Sequence, residues 1–531
     1  MHGTFMQIYV RGYKDSDGDG KGDLKGLISQ LDYLQDLGVQ GLWLMPVTQS
    51  EDRDHGYAVK NYRSIDTDYG SLADMAQLLM QAHQRGIGVI LDHVINHASS
   101  QHPLFLNAAS SKLNPQRNYF VWQDTLPSAW RVWDQNPWHS SANGHYFAPF
   151  WSGMPDFNWK SAQVKTFHHD NLRFWLNQGV DGFRFDLAPV LGRDASPEHR
   201  FQTRAPLFMA LAQDPVLRDR LLIAEPWDVG PGGYQLGQFP PGWLEWNDLF
   251  RDTQRAAWLH GHANPGRWAQ ALAGSSAAFG GRAAHSSVNF VTAHDGFSLQ
   301  DLVSYQHKHN EANGEANRDG HSHNLSHNHG VEGPTDDPVV QGRRRQSQRA
   351  LLMSSLLALG TPMLLAGDEF GHSQGGNNNA YCQDNALTWL DWETADLELC
   401  RFVAAVLALR HELPLLQARD WWRAPDDEAP NQAARAHWLT PEGQPLSARD
   451  WQRDHPVPMA IWLLPARPDE AACLWLLNPS AEPVTFALPP GRWSLRLDSH
   501  AGATGSHPLL FDAELPARSV QLAVACISDH D

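Results

Sequence analysis

The sequence predicts an α/β architecture: a closed (β/α)8 barrel, an inserted domain after its third strand, and an antiparallel β-sandwich at the C-terminal end. Three observations lead there. Eight short apolar runs, most ending in a polar or acidic residue, recur along the first two-thirds of the chain and alternate with helical patterns. One interval between two of these runs is far too long for a connecting loop. Beyond about Glu412 the pattern changes to short strand-like runs broken by Pro, Gly and Asp turns.

The runs occupy residues 7–11, 41–46, 88–92, 182–186, 221–225, 243–248, 288–295 and 362–368. Continuous apolar segments of this length suit strands buried on both faces, as in a parallel sheet. Amphipathic stretches at 27–37, 72–84 and 166–178 supply helices between them. Eight strands alternating with helices is the count of a TIM barrel. A doubly wound open sheet is the alternative, but the glycine fingerprint expected after its first strand is absent. Between Asp92 and Gly182 the stretch 97–156 is rich in Trp, Pro, Ser and Asn. Inserted at the C-terminal end of the third strand, it is positioned to wall an active site. The barrel is thus expected over 1–96 and 157–422, with 97–156 inserted. Runs at 459–465, 473–478, 484–488, 493–497 and 519–527 read as the sandwich, over 432–531, with 423–431 as the linker.

Composition narrows the class. The 531 residues are 42% hydrophobic and 19% charged, ordinary for a globular enzyme with a large core. A formal net charge of −18 disfavours phosphate backbones and anionic lipid, so neither nucleic acid nor membrane is an expected partner. The 22 Trp suit a surface that stacks on sugar faces, although large cores use them too. Cys382, Cys400, Cys473 and Cys526 are scattered, which reads as reduced, buried thiols in a cytoplasmic protein. No leader-like segment and no long apolar run point elsewhere.

In a barrel enzyme the chemistry comes from side chains at the C-terminal ends of strands. Four ends carry acids: Asp92, Asp186, Glu225 and Asp295. Arg184 lies two residues before Asp186, hence on the same side of the strand, where its guanidinium would hold that carboxylate ionised. Glu225 ends an apolar strand, and a drier site would keep its proton near neutrality. A nucleophile paired with such an acid is what a retaining glycosidase needs. Solvated loop acids are the alternative for any one of the four, and four together at strand ends argue against it.

The motifs Asp92-His-Val-Ile-Asn-His97, Gly182-Phe-Arg-Phe-Asp186, Ala224-Glu-Pro-Trp-Asp228 and Ala293-His-Asp295, in this order, resemble those of the α-amylase superfamily. The resemblance covers the whole chain. It implies Asp186 as nucleophile, Glu225 as general acid/base and Asp295 as stabiliser of the distorted sugar. Arg184, His294, Asp92 and His97 would surround that sugar, Tyr57 would stack on it, and Trp227 would join the substrate-binding set. From about Leu172 onward the chain is similar to isoamylase-type glycogen debranching enzymes. Glu245-Trp-Asn-Asp248, the run 307–314 and Gly376-Asn-Asn-Asn-Ala-Tyr-Cys-Gln-Asp384 carry this likeness. It implies hydrolysis of α-1,6 branch links. The first 160 residues instead resemble the oligo-1,6-glucosidase, amylosucrase and intermediate α-amylase groups. The first strand at residue 7 leaves no room for the accessory sandwich expected before a debranching barrel. Small branched dextrins are therefore expected to be preferred over intact glycogen. The alternative is α-1,4 cleavage of maltooligosaccharides, with glucosyl transfer a variant of either. A non-catalytic glucan-binding protein would have lost the acids.

The loop Asp15-Ser-Asp-Gly-Asp-Gly-Lys-Gly-Asp23 places acids at alternate positions with glycines between, a spacing that suits a hard cation. It is not an EF-hand, since Gly26 stands at the twelfth position. The resemblance implies a structural calcium held by Asp15, Asp17, Asp19, Asp23 and the carbonyl of Lys21; an acidic turn without metal is the alternative. His307, His309, His321, His323, His327 and His329 crowd another loop, read as a polar cleft loop rather than a metal site. Cys382 is expected to be structural.

Overall fold

A computed structural model of the chain describes residues 3–51, 54–127, 131–132, 135–193, 200–427, 433–467, 469–509 and 512–526. Eight parallel strands close into a barrel in chain order. They are β1 (Phe5–Ile8), β2 (Gly41–Leu44), β3 (Gly88–Val94), β4 (Gly182–Asp186), β5 (Leu221–Ala224), β6 (Trp243–Trp246), β7 (Ser287–Asn289) and β8 (Thr361–Leu365), with β1 pairing with both β2 and β8. Every residue of β1 to β7 is buried, as continuous apolar runs require when both faces of a parallel sheet are covered.

The strands differ from the sequence runs at their ends. β1 stops at Ile8, and Val10–Tyr13 turns into a short helix. β7 stops at Asn289, so residues 290–295 leave the sheet as an irregular loop. Its last pairing in register is Asn289 with Pro362. The inward polar groups there satisfy one another. Asn247 Nδ2 donates to Ser287 Oγ at 2.8 Å, Ser287 Oγ to Asn289 Oδ1 at 2.7 Å, and Asn289 Nδ2 to the Leu359 carbonyl at 3.0 Å.

Helices cover the outside. The first is split at Gln30 into Leu24–Ser29 and Leu31–Leu37. Leu72–Gln84 starts with a capping box of Ser71 and Asp74. Ala162–Gln178 ends where Gly179 takes φ +105°, a left-handed C-cap that a side chain would strain. Between β5 and β6 the Pro- and Gly-rich stretch 225–242 forms no helix, a departure from strict alternation.

The insertion after β3 contains the helix Pro103–Ser110 and a three-stranded antiparallel sheet ordered Trp122–Gln123, Gly144–Phe147, Trp138–Ser141. Bridges His97 to Asp156 and Phe120 to Phe157 return it to the barrel. Its root is a buried cluster. His93 on β3, His102 and His168 surround Tyr62 with ring centroids 5.7, 5.7 and 5.3 Å away, and the His93 and His168 rings share a 3.2 Å hydrogen bond.

At the C-terminal end an antiparallel sheet runs in the order Arg435–Leu439, Met459–Leu464, Cys473–Asn478, Ser519–Ala525, Trp493–Asp498, Ala503–Leu509. A second pair, Val484–Ala487 with Asp512–Leu515, completes the sandwich. Arg435–Leu439, Ala503–Leu509 and Asp512–Leu515 were not legible as strands. Of the stretch expected as linker, residues 428–431 lie outside the described residues, as does 527 at the end of the last expected run. The barrel helix Pro338–Leu357 carries the junction. Arg349 donates from Nε and Nη2 to the carbonyls of Ser499 and His500, both at 2.6 Å, and Gln346 Nε2 donates to those of Ala517 and Arg518.

The four cysteines are free, but Cys473 alone is buried; Cys400 is half-buried and Cys382 and Cys526 are exposed, which corrects the expectation of four buried thiols. Both sit in loops outside the packed sheets. Among the described residues no helix is long and apolar enough to cross a membrane.

Candidate active site

The mouth of the barrel is organised by Arg184, which is 1% exposed. From β4 its Nη1 donates to Asp92 Oδ2 and to Asp186 Oδ1, each at 2.9 Å, and its Nη2 donates to Glu225 Oε2 at 2.7 Å. Strands β3, β4 and the end of β5 therefore deliver three carboxylates to one planar fork. The guanidinium also lies 5.1 Å from the ring of Trp43 and 4.7 Å from that of Trp246. Leu187, after the strand, adopts a left-handed φ of +47°, and its N–H donates to Glu225 Oε2 at 2.9 Å. A left-handed backbone at a leucine costs roughly 1–3 kcal/mol and persists only where its surroundings enforce it.

A second chain of hydrogen bonds reaches Asp92 from β1. Gln7 Nε2 donates to His294 Nδ1 at 2.7 Å, while Gln7 Oε1 accepts from the His294 backbone N–H at 3.3 Å. With Nδ1 accepting, the ring proton sits on Nε2, 3.2 Å from the Tyr57 hydroxyl, which donates to Asp92 Oδ2 at 2.9 Å. Tyr57 and His294 stack at 5.8 Å with an angle of 16°. His97 is buried with its ring 5.4 Å from Phe150, and Trp227 is half-buried 6.2 Å from Trp246. Among the described residues His97 Nε2 has no hydrogen-bond partner.

Burial sets the charges. It pushes Glu225 well above the ordinary carboxylate range, against the pull of Arg184 and with the help of the Asp186 charge. It pushes Asp92 up to about 7. Burial alone would discharge Arg184, but Asp92, Glu225 and Asp186 hold it protonated. Burial lowers His294 to about 4 and also lowers His97, so both rings are neutral. Burial raises Asp295, yet His294, His321 and Arg251 outweigh it and bring the carboxyl below its usual value. A polar recess of about 30 Å³ beside Asp295 is lined by Arg251, Arg255, His321, His323 and Asn324 among others.

Of the residues singled out from the sequence, Asp92, Asp186, Glu225, Tyr57 and His294 join Arg184 in one hydrogen-bonded network, while Trp227 stands beside Trp246 and Asp295 lines the recess. Gln7, Trp43, Trp246 and the Leu187 N–H also touch this network and were not singled out from the sequence. Gln7 carried a signal, a lone carboxamide inside an apolar strand run. The histidine-rich loop is a polar structure: Lys308 Nζ donates to the carbonyls of Arg318, Asp319 and Gly320, and Asn310 pairs with Asn378. Among the described residues, the histidines there form no metal-binding group.

The acidic loop brings three of its carboxylates together. Oxygens of Asp15, Asp17 and Asp19 lie within 4.8 Å of one another. Backbone N–H groups of Gly18 and Gly20 donate to Asp15 at 2.7 and 2.8 Å and hold its carboxyl below the usual range. Asp23 is turned to another task. Its Oδ1 accepts the Gly26 N–H as the N-cap of Leu24–Ser29, and its Oδ2 accepts from Ser16. The Lys21 side chain pairs with Asp68 at 2.8 Å. Three clustered carboxylates fit a hard cation.

The family model for the α-amylase catalytic domain matches residues 7–219. The chain is 40% identical over 519 residues to the glycogen debranching enzyme of Erwinia tasmaniensis, covering 92% of this chain and 72% of that one. It is 42% identical over 483 residues to that of Serratia proteamaculans, covering 87% and 67%. The α-amylase from H. orenii shares the fold with a TM-score of 0.68 over 99% of both chains at 24% identity. So does the trehalulose synthase MutB from Pseudomonas mesoacidophila MX-45, with a TM-score of 0.68 over 99% of both chains at 22% identity. The chain belongs to the α-amylase family.

Proposed function

We propose that the protein is a retaining α-glucan hydrolase that cleaves α-1,6 branch links in branched dextrins. The observation that carries the chemistry is the Arg184 fork, which holds Asp186 and a proton-bearing Glu225 side by side in a buried mouth. In this reading the Asp186 carboxylate attacks the anomeric carbon while Glu225 gives its proton to the departing glycosidic oxygen. The C–O bond breaks as the glycosyl–aspartate bond forms. Glu225, now ionised, takes a proton from water, whose oxygen displaces Asp186 and regenerates both groups. Asp295, kept ionised, steadies the positive charge that develops on the ring, and Tyr57, Asp92, His97, Trp227 and His294 hold the sugar.

The debranching specificity is supported by the relatives named glycogen debranching enzyme and by the motifs flanking Glu225 and Asp295. Products from a branched limit dextrin, glycogen and linear maltoheptaose test it together. Branch points should disappear from the dextrin, while maltoheptaose is left almost intact. If the linear sugar is cut fastest and branch points survive, the enzyme acts on α-1,4 links. We also infer a structural calcium at Asp15, Asp17 and Asp19, with Asp23 and the Lys21 carbonyl as its neighbours on the loop.

A further inference from the structure

Asp186 lies on a strand and Glu225 directly follows one, but Asp295 does not. It belongs, with His294, to the loop 290–298, which begins where β7 stops at Asn289 and ends at the short helix Leu299–Leu302. A catalytic group on irregular backbone needs something else to fix it. Asp368, just beyond β8 and 1% exposed, closes both ends of this loop. One carboxylate oxygen accepts the hydroxyl of Thr292, and the other accepts the Leu299 N–H at 2.7 Å. The clasp is returned from the other side. Asp301, fully buried in the helix after the loop, accepts Ser373 Oγ at 2.5 Å and the Gln374 N–H at 2.7 Å, both from the segment after β8. Among the described residues neither acid bonds to Arg184, Asp186 or Glu225.

We infer that Asp368 is a positioning residue for the reaction: without touching the sugar, it fixes the loop that presents His294 and Asp295 to the barrel mouth. The inference rests on the role proposed for Asp295. Without Asp368, the Thr292 hydroxyl and the Leu299 N–H lose their partner at opposite ends of the loop, and a loop free to shift by about 1 Å can lose on the order of 10²-fold in rate. Asp368→Asn can keep both bonds, since its amide oxygen still accepts from Leu299 while its NH2 donates to the Thr292 oxygen. Asp368→Ala keeps neither, and Thr292→Val releases one end only.

The test measures kcat and KM on a branched dextrin, affinity for a cationic iminosugar that mimics the charged transition state, and Tm, for all three variants and for Asp295→Asn. D368A should lose roughly 100-fold in kcat with KM within about threefold, and iminosugar affinity should fall in parallel. T292V should lose about tenfold, and D368N should recover at least about tenfold of what D368A loses. If D368A and T292V lower Tm but keep the parental kcat per folded molecule, the residue is merely structural and the inference fails. It fails equally if D368N is as impaired as D368A, because charge rather than placement would then be at work. Should D368A not fold, T292V and D368N decide alone. A dead D295N beside a fully active T292V overturns only the role of Asp368. An active D295N overturns the parent reading.

Discussion

At the scale of single residues, the division of labour at the Arg184 fork makes distinct demands on each side chain. Glu225→Gln keeps the shape but has no proton to give. In kcat/KM, which reports formation of the glycosyl–aspartate bond, it should lose about 10²–10⁴-fold on dextrins, and far less on an α-glucosyl fluoride, whose leaving group needs no protonation. Equal losses on both substrates would remove Glu225 from the acid role. Gln7→Leu frees the His294 ring to take either tautomer and to turn from Tyr57. A loss of about tenfold in kcat, with Tm falling by only a few degrees, is expected, and an unchanged kcat would show the tautomer lock to be idle. The acids and Arg184 were legible because strand-end carboxylates stand out against apolar runs. Gln7 and Asp368 were harder to read, since their partners lie 287 and 69–76 positions away and only the closed barrel brings them together.

At the scale of elements, continuous apolar runs located all eight strands but not where each one stops. That β7 ends at Asn289 rather than running on to Asp295 cannot be read from the run 288–295, because its pairing partner is a strand far along the chain. The acidic loop after β1 is proposed to be tied by calcium. Excess chelator should then lower Tm more than activity per folded molecule, and an unmoved melting curve would count against the metal. The root of the insertion has its own pH dependence. Burial lowers His93 to about 3, His102 to about 4 and His168 well below its ordinary 6.5. The folded pKa values lie below the unfolded ones, so these rings contribute stability that is present above pH 6.5 and lost as pH falls toward 4. Half-buried Asp54 and buried Asp92 and Asp368, each raised to about 7 by desolvation, act in the opposite sense over part of that range. The double variant His93→Gln/His168→Gln isolates the histidines. Its unfolding free energy should fall less steeply on acidification, by up to about 2.7 kcal/mol per pH unit for two protons. Parallel curves would mean that the cluster does not titrate with folding.

At the scale of the whole molecule, the proposed double displacement fixes the stereochemistry of the product. Proton NMR of the first-formed reducing end should show the α-anomer, with the β-form appearing only by mutarotation; a β-anomer first would mean inversion and would separate Asp186 from the nucleophile's role. The barrel and the C-terminal sheet meet through a junction of a particular kind. Arg349 and Gln346 reach across it and grip only carbonyl oxygens, at 499–500 and 517–518. Every amino acid offers the same oxygen, so these two contacts ask only for the backbone path of the turns, a path that Asp498 caps and that Gly502, at φ +65° against Arg349, keeps open. The sheet's own side chains supply the rest of the contact: Arg496 pairs with Glu412 at 2.7 Å, and Leu497, Val520 and Leu522 share one buried core with the barrel. A foreign sandwich grafted at that place would therefore need both the same turn paths and a matching apolar face with a partner for Glu412.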